Sequence, residues 1–463
     1  MEVMEVIADP EKWAEQTFGK ADLGDKRRAR RLVSAAAKIA AHPEISFTQV
    51  FDWNELRGFY RLCDQTQATL AAVQEPHWQQ TRAAMRKHPL VLIVHDTTEL
   101  DFSSHRHLTG AGQIGNENGK GFLQHNSLAI VPKPQQVLGL AYQQLITRQP
   151  APVGENTTKR KQWNRESQLW QFGFRAAGHP PTGCTWVDVC DRGSDDYEAM
   201  RTSSETGHDF LIRVAQNRIV FLSADADEKV YLLDYARSLK SMGSDEVEIP
   251  GRGGRAGRKA VVQMASAPVW LPPPSGTRQR SSQPVIVAWV IRIWEADPPA
   301  GIDEPVEWVL ISSMRSQTLE ELKERRDWYC CRWLIEVYHN IEKNGCSEED
   351  RRFETADRMA TCLAILAVVA VRVFQLRCAL DHQPEQPAEQ VATAQEIKVM
   401  RAFLKHKGKQ FTVKEFVRGV AKLGGFLGRK NDGDPGVRAL WQGYQRLQDM
   451  LQGILLLASV DSA

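Results

Sequence analysis

Residues 328–343 read WYCCRWLIEVYHNIEK. Within them Tyr329, Arg332, Glu336 and Lys343 are separated by three, four and seven residues. At about 100° per residue on an α-helix, the four side chains fall within roughly 60° of one another. Leu334, Val337, Tyr338 and Ile341 take other directions and form the expected core face. A carboxylate beside a phenol, a guanidinium and an ammonium on one stripe suits a cation held next to a phosphate. The pattern also suits a plain amphipathic surface helix, whose Arg332–Glu336 pair contributes about 0.2–0.5 kcal/mol. Residues elsewhere in the chain decide between the two.

The 463 residues allow two to four domains with a large core. A content of 42% hydrophobic and 25% charged residues is ordinary for a globular protein. The formal charge is only +2, so any nucleic-acid role must come from local patches. The 8 cysteines show neither CxxC spacing nor a zinc pattern, and they read as reduced thiols. The start, MEVMEVIADPEKW, lacks the basic-then-apolar layout of a signal peptide. The longest apolar run, Met359 to Val371, is too short to span a bilayer and reads as a buried helix. The expectation is a soluble, cytoplasmic protein that does not bind membranes.

Residues 1–70 read as helical, with Asp22 a candidate cap. Lys26, Arg27, Arg28, Arg30 and Arg31 make a dense basic cluster, either a solvated helix face or a phosphate-contacting one. From about 71 the character turns to strands: VLIVHD (91–96), LQHNSLAIV (123–131), VLGLAYQQLI (137–146), TWVDVCD (185–191) and FLIRVA (210–215). Such near-continuous apolar runs predict central strands covered on both faces. PVIVAWVIRIW (284–294) and VEWVLISS (306–313) are further strands, separated by GRGGRAGRK (251–259) and LPPPSGTRQRSSQ (271–283), which read as loops. A mostly β insertion is therefore expected at about 216–313. A long helix over 318–344 and the buried helix through 380 follow. A Pro/Gln-rich linker, DHQPEQPAEQ (381–390), opens a helical C-terminal domain. Its last helix carries Val437, Leu440, Tyr444, Leu447, Leu451 and Ile454, a seam for packing within that domain or for self-association.

Asp96 and Asp191 each close a strand, where either could be a simple turn or cap residue. With Glu336 they form a D…D…E set at separations of 95 and 145 residues. Three clustered carboxylates repel one another unless cations intervene. Two divalent ions about 3.5–4 Å apart resolve this, one activating an attacking oxygen and the other stabilising a leaving oxygen of a phosphodiester. Oxygen ligands without a Cys/His cluster favour Mg²⁺, or Mn²⁺, over Zn²⁺. Arg332 and Lys343 would then hold phosphates. Gly110, Gly112 and Gly115 spell GxGxxG, but no strand leads into them and no helix follows. The spacing before Lys120 is not a Walker sequence, and His105 and His107 have no partner cluster, so no nucleotide cofactor is expected.

With the acidic set and the YxxRxxxExxxxxxK helix in view, the chain resembles the DDE transposases of the insertion-sequence-four family over nearly its whole length. ADLGDKRRARRL (21–32) resembles their end-recognition helix, and HDTTEL (95–100) and VCDRGSD (189–195) their two aspartate blocks. VEWVLISS resembles the tryptophan strand, and LGGFLGRK (423–430) with ALWQGYQRLQ (439–448) the dimerising tail. After Arg192 the match departs, where GSDD replaces the family's residues. The resemblance implies an α/β fold: an RNase H-like core of mixed sheet flanked by helices over 71–380, between a helical DNA-end-binding domain (1–70) and a helical dimerisation domain (381–463). It implies Asp96, Asp191 and Glu336 as ligands of two Mg²⁺ ions, and Tyr329, Arg332 and Lys343 as phosphate contacts at the cleaved end. Trp308 would stack on a base flipped from the DNA terminus, while Arg192, Arg213, Arg351 and Arg352 are further candidate contacts to the DNA backbone. The implied activity is cut-and-paste transposition by a homodimer on double-stranded DNA ends and target. A metal-dependent nuclease without transposition, or a non-catalytic end-binding inhibitor, are the rivals.

Overall fold

The computed structural model describes the chain except residues 1–8, 44, 116–118, 149–165, 226–227, 250–256, 275–282, 300–301, 303–304, 383, 430–434 and 461–463. It divides into two compact units. One, rich in strands, comprises Arg86–Asp96 and Val153–Ile335; the other, mostly helical, comprises Met1–Met85, Thr97–Pro152 and Glu336–Ala463.

In the strand-rich unit, strand β1 (Leu90–Asp101, of which residues through Asp96 belong here) pairs in parallel with β5 (Thr185–Cys190). β5 pairs in parallel with β6 (Asp209–Arg213). The sheet then turns antiparallel through β12 (Glu307–Ser312), β11 (Ile286–Glu295), β10 (Arg258–Leu271) and β9 (Gly243–Ile249). Val91–Val94, Val187 and Phe210–Ile212 are fully buried, as strands covered on both faces must be. β11 instead alternates between buried and exposed side chains, the mark of a sheet with one solvated face. A two-stranded ribbon, β7 (Ile219–Val220) and β8 (Val230–Tyr231), is a separate sheet tied to β10 by the Phe221–Trp270 bridge. The strands expected as an insertion thus prolong the sheet itself, through the pairing of β12 with β6. Part of GRGGRAGRK lies outside the described residues, but its end is strand: Arg258 and Lys259 open β10, with Arg258 bonded to Glu295 on β11.

In the helical unit, β2 (Gly112–Ile114) and β4 (Gln136–Ile146) pair with β3 (Gly119–Val131). The last part of β1 is fastened to β3, with Thr97 Oγ1 2.9 Å from His125 Nδ1 and Phe102 N donating to Lys120 O at 2.8 Å. The predicted buried helix is Ala356–His382, fully enclosed from Cys362 to Ala367. Among the described residues no helix is long and apolar enough to cross a membrane. Asp25, and not the expected Asp22, caps helix Lys26–Ala41 by accepting from Arg27 N; Asp22 accepts from Gly24 N in the preceding turn. At the C-terminus, helices Ala394–Phe403 and Val413–Leu423 pack with the start of Val437–Val460, where Leu440 and Leu447 are buried. Beyond Leu451 the seam leaves this core: Ile454 and Leu457 are exposed.

The long helix expected over 318–344 is broken. Helix Leu319–Cys330 ends in a tighter turn, with Leu334 N bonded to Cys331 O and Ile335 N to Arg332 O. Helix Trp333–Asn340 resumes, then widens to a π turn over Ile341–Gly345, closed by Cys346 N to Ile341 O at 2.9 Å. One 100° wheel therefore does not describe Tyr329 to Lys343. Ile335 takes the core place expected of Leu334 and Val337, which are only half-buried.

The π turn puts Glu342 into a polar layer of the helical unit. Gln124 Nε2 donates to its Oε1 at 2.7 Å, and Gln143 Nε2 reaches the same oxygen at 3.3 Å. Gln143 in turn accepts from Gln74 at 2.6 Å. Glu342 is fully buried, and burial pushes its carboxyl up to about 8. Glu348, equally buried and with neither oxygen bonded, is also raised well above its ordinary value, by burial first and then by Glu342. Because folded Glu342 holds its proton far above the usual 4.5, its contribution is complete below pH 4.5 and is lost as pH rises through 8. The melting temperature should therefore fall between those two values, and Glu342→Gln, a neutral isostere, should flatten the fall. Parallel pH slopes for the two proteins in thermal melts would rule this out.

Candidate active site and DNA-binding residues

Parallel pairing sets the site in the strand-rich unit. The register places His95 opposite Cys190, so the next residues, Asp96 and Asp191, stand side by side where the β1–β5 pairing stops. Asp96 does not close its strand as expected, because β1 runs on to Asp101, whereas Asp191 directly follows β5. Strands lie about 4.8 Å apart, so the two carboxylates are neighbours at the end of that pairing. Both act on the Cys190 thiol, which burial above all pushes up. Asp191 also accepts from Gly193 N at 2.9 Å, starting a short turn over Arg192–Ser194.

Cationic and aromatic groups gather on the same end. Arg332 Nη1 lies 3.8 Å from Asp96 Oδ2, both side chains largely shielded, and its guanidinium is 5.9 Å from the Tyr329 ring. Tyr329 is buried, which raises its phenol above the usual 10 and leaves it a neutral hydroxyl at ordinary pH. Arg213, at the end of β6, is half-buried, donates from Nη2 to Glu307 O at 3.5 Å and interacts electrostatically with Tyr329. Trp308 on β12 meets the Tyr329 ring edge-on at 5.4 Å, while Arg192 is exposed beside Arg213. The unit thus brings together Asp96, Asp191, Arg192, Arg213, Trp308, Tyr329 and Arg332. These are two hard oxygen ligands ringed by donors suited to phosphate.

Glu336 and Lys343 belong to the helical unit. Lys343 Nζ donates to Glu99 O at 2.5 Å and stands 3.8 Å from Glu349. Among the described residues, no three Asp, Glu, His or Cys side chains form a ready metal cluster. Arg351, expected at the DNA backbone, is instead a structural residue. It is buried, donates to the carbonyls of Ile45 and Cys346, and lies 4.5 Å over Phe47. Arg352 is exposed.

In the N-terminal basic cluster, Arg27 pairs with Asp25 at 3.0 Å, and Arg28 bonds Leu23 O and Gln67 Oε1. Arg30 and Arg31 are exposed and form no ion pair among the described residues. With Asn54 they line a cleft of about 400 Å³ against helix Trp53–Cys63. Gly58 lets Arg31 lie close, since a Cβ there would come within 3.1 Å of its Nε.

One constellation goes unnoticed in the sequence. Asp188, inside β5, is fully buried and accepts from Ser203 Oγ at 2.6 Å and from His95 Nε2 at 3.0 Å. His208 Nδ1 lies 3.0 Å from its other oxygen, while His208 Nε2 faces Gly178 O at 2.7 Å. Both nitrogens of His208 face acceptors, so both donate and the ring is an imidazolium. Burial opposes that charge, but Asp188 overrides it and holds the His208 pKa above 6.5. Burial equally opposes the Asp188 charge, and the two histidines hold it well below 3.8. His95 is neutral, lowered chiefly by burial. A strand-interior aspartate flanked by Val187 and Val189, with two distant histidines, offers no local signal. Asp188→Ala would strand a buried imidazolium and should cost about 3–5 kcal/mol of stability. A change within about 1 kcal/mol in chemical denaturation would show the pair to be dispensable.

Comparison with known proteins bears on what these residues serve. Residues 10–68 match the family model described as transposase DNA-binding, and residues 368–461 match the transposase Tn5 dimerisation domain. Among solved structures, the chain is similar to the piggyBac transposase in its synaptic complex with hairpin DNA. That likeness is 9% identical at a TM-score of 0.42 and covers 97% of this chain and 83% of the other. A mixed sheet with helices thus stands between a helical region of the transposase DNA-binding type and a helical region of the Tn5 transposase dimerisation type.

Proposed function

We propose that this chain is a transposase that works by cut-and-paste, with Asp96, Asp191 and Glu336 as its catalytic carboxylates. What supports this most is the side-by-side placement of Asp96 and Asp191 just past the last paired residues of β1 and β5, against Arg332, Arg213 and Tyr329. Their hard oxygen donors fit Mg²⁺, with Mn²⁺ as substitute, and Glu336, four residues beyond Arg332, is the third ligand. When bound, two such ions supply activation of the attacking oxygen and stabilisation of the leaving one.

The chain's own side chains bind and orient. Arg332 and Lys343 hold the phosphates flanking the scissile bond, Arg332 through its planar fork and Lys343 as a point charge. Tyr329 donates its hydroxyl to a phosphate oxygen. Arg192, Arg213 and Arg352 add backbone contacts, and Arg27, Arg28, Arg30 and Arg31 hold the transposon end. In the first displacement, water attacks a phosphodiester and the 3′-oxygen departs, leaving a 3′-hydroxyl. That hydroxyl attacks the opposite strand, expels its partner oxygen and closes a hairpin. A second water opens the hairpin, and the freed 3′-hydroxyl attacks target DNA in a dimer that pairs two ends. Every step is an in-line exchange at phosphorus, so one site serves the series.

Asp191→Ala and Glu336→Ala should each leave binding of end DNA within about twofold while abolishing nicking in Mg²⁺; a variant that still nicks would remove that residue from the ligand set. Trp308→Ala should leave the first nick intact and slow hairpin formation about ten- to hundredfold, the loss expected of one base-stacking contact. Equal loss at both steps, read on end-labelled duplex, would reject the stacking role. Cutting without strand transfer by the unaltered protein would favour a plain nuclease.

A further inference from the structure

Residues 393–414 carry Lys398, Lys405, Lys407, Lys409 and Lys414, all exposed, and one acid, Glu396, which is buried. They lie within the segment matched to dimerisation, yet like charges crowded on one stretch do not help two identical copies meet. Lys414 is the second residue of helix Val413–Leu423, where the helix dipole disfavours a cation. Stability therefore does not account for these lysines.

The loop between helices Ala394–Phe403 and Val413–Leu423 is a built structure. Arg401 turns back to donate to Gly408 O at 2.7 Å and Lys409 O at 2.9 Å. His406 N returns to Arg401 O at 2.9 Å, and the His406 ring packs 4.9 Å from Phe411 with Nε2 3.2 Å from Glu415 Oε1. The Arg401 guanidinium caps the same Phe411 ring at 5.3 Å. Gly408 is required, because a Cβ there would meet the His406 ring at 2.7 Å. Lys405 adopts a left-handed φ of 52°. Arg401, His406 and Phe411 thus do the anchoring. Lys405, Lys407 and Lys409 form no ion pair among the described residues and project from a preshaped loop beside Phe403, which is 42% exposed.

We propose that this lysine loop is a second DNA-contacting surface, which neutralises phosphates of duplex DNA independently of sequence. Lysine suits that task as a point charge without base readout. A loop already ordered gives up little conformational freedom on binding. The inference rests on the chain being a DNA-handling transposase, but it does not need the proposed catalytic carboxylates. The duplex contacted is either the transposon end, beyond the reach of the N-terminal domain, or the target.

The test is binding of the full chain across a series of KCl concentrations to two short duplexes, one of arbitrary sequence and one carrying the element's terminal repeat. Each phosphate contact contributes about 0.9 to the slope of log affinity against log salt. The triple variant K405A/K407A/K409A should lower that slope by about 2–3 on at least one duplex, while K405R/K407R/K409R keeps it. Loss on the terminal-repeat duplex alone assigns the loop to the end, loss on the arbitrary duplex alone assigns it to target, and loss on both assigns a general backbone contact. Unchanged slopes on both, from a variant that melts like the unaltered protein, would overturn the proposal. Arg30→Ala with Arg31→Ala, which tests the N-terminal contact, should weaken end binding whatever the loop does.

Discussion

The structure depends on a fully buried carboxylate. Asp188 sits inside the strand whose end carries Asp191, and it is bonded to His95, the residue before Asp96. Stripping a carboxylate of water costs several kcal/mol unless charge and hydrogen bonds are supplied in place. Here an imidazolium, a neutral imidazole and a serine hydroxyl supply them. The consequence is a locked register. Sliding β5 by one residue would turn Asp188 away from both histidines and every neighbour to the wrong face. The same register leaves Asp96 and Asp191 abreast. A network on one face thus fixes the geometry at the strand ends, and it does so without touching the groups it positions.

Two aspartates so placed repel each other, and the protein meets that with arginine. Arg332 against Asp96 offsets charge, and Arg213 and Arg192 add to the positive field nearby. Arginine suits this role because it stays charged when partly buried and its fork can turn from a carboxylate to a phosphate. The cost is that Arg213 and Arg332 crowd each other and the half-buried Arg213 is weakened by desolvation.

Most central strands were legible because they follow simple rules: β5, β6, β11 and β12 and the first half of β1 are apolar runs, whereas β3 carries four buried polar residues, Gln124–Ser127, at its centre. Asp191 follows from the same pattern, whereas Asp96 lies inside β1, whose continuation through TTELD carries no apolar run. What sequence alone missed has a common cause. The break at Cys331–Arg332 carries no Gly or Pro, and the π turn exists so that Glu342 can reach Gln124 and Gln143, more than 190 residues earlier. Charge gives no hint of burial at Asp188, Glu342 and Arg351, each held by partners distant in the chain, or at Glu348, which is buried with neither oxygen bonded. Short helices such as Tyr197–Glu205 escaped because nine residues hold too few turns for a periodicity to show. The lysine loop offers no signal in the sequence, since only the fold reveals that its anchors and its cations are different residues.

A chain with a formal charge of only +2 has little long-range pull on DNA. At physiological salt the screening length is about 8 Å, so each basic patch acts on the phosphates directly before it and on little else. On the reading proposed above, Arg30 and Arg31, the arginines around the paired aspartates, and the lysine loop would therefore act as separate contacts rather than one field. Near-neutral total charge keeps idle protein from coating arbitrary DNA, because one patch alone binds weakly in salt. Contacts held by one chain add their free energies once a duplex spans them, through the effective concentration that linkage provides. Selectivity for a correctly assembled complex then follows from the spacing of modest patches and requires no single strong one.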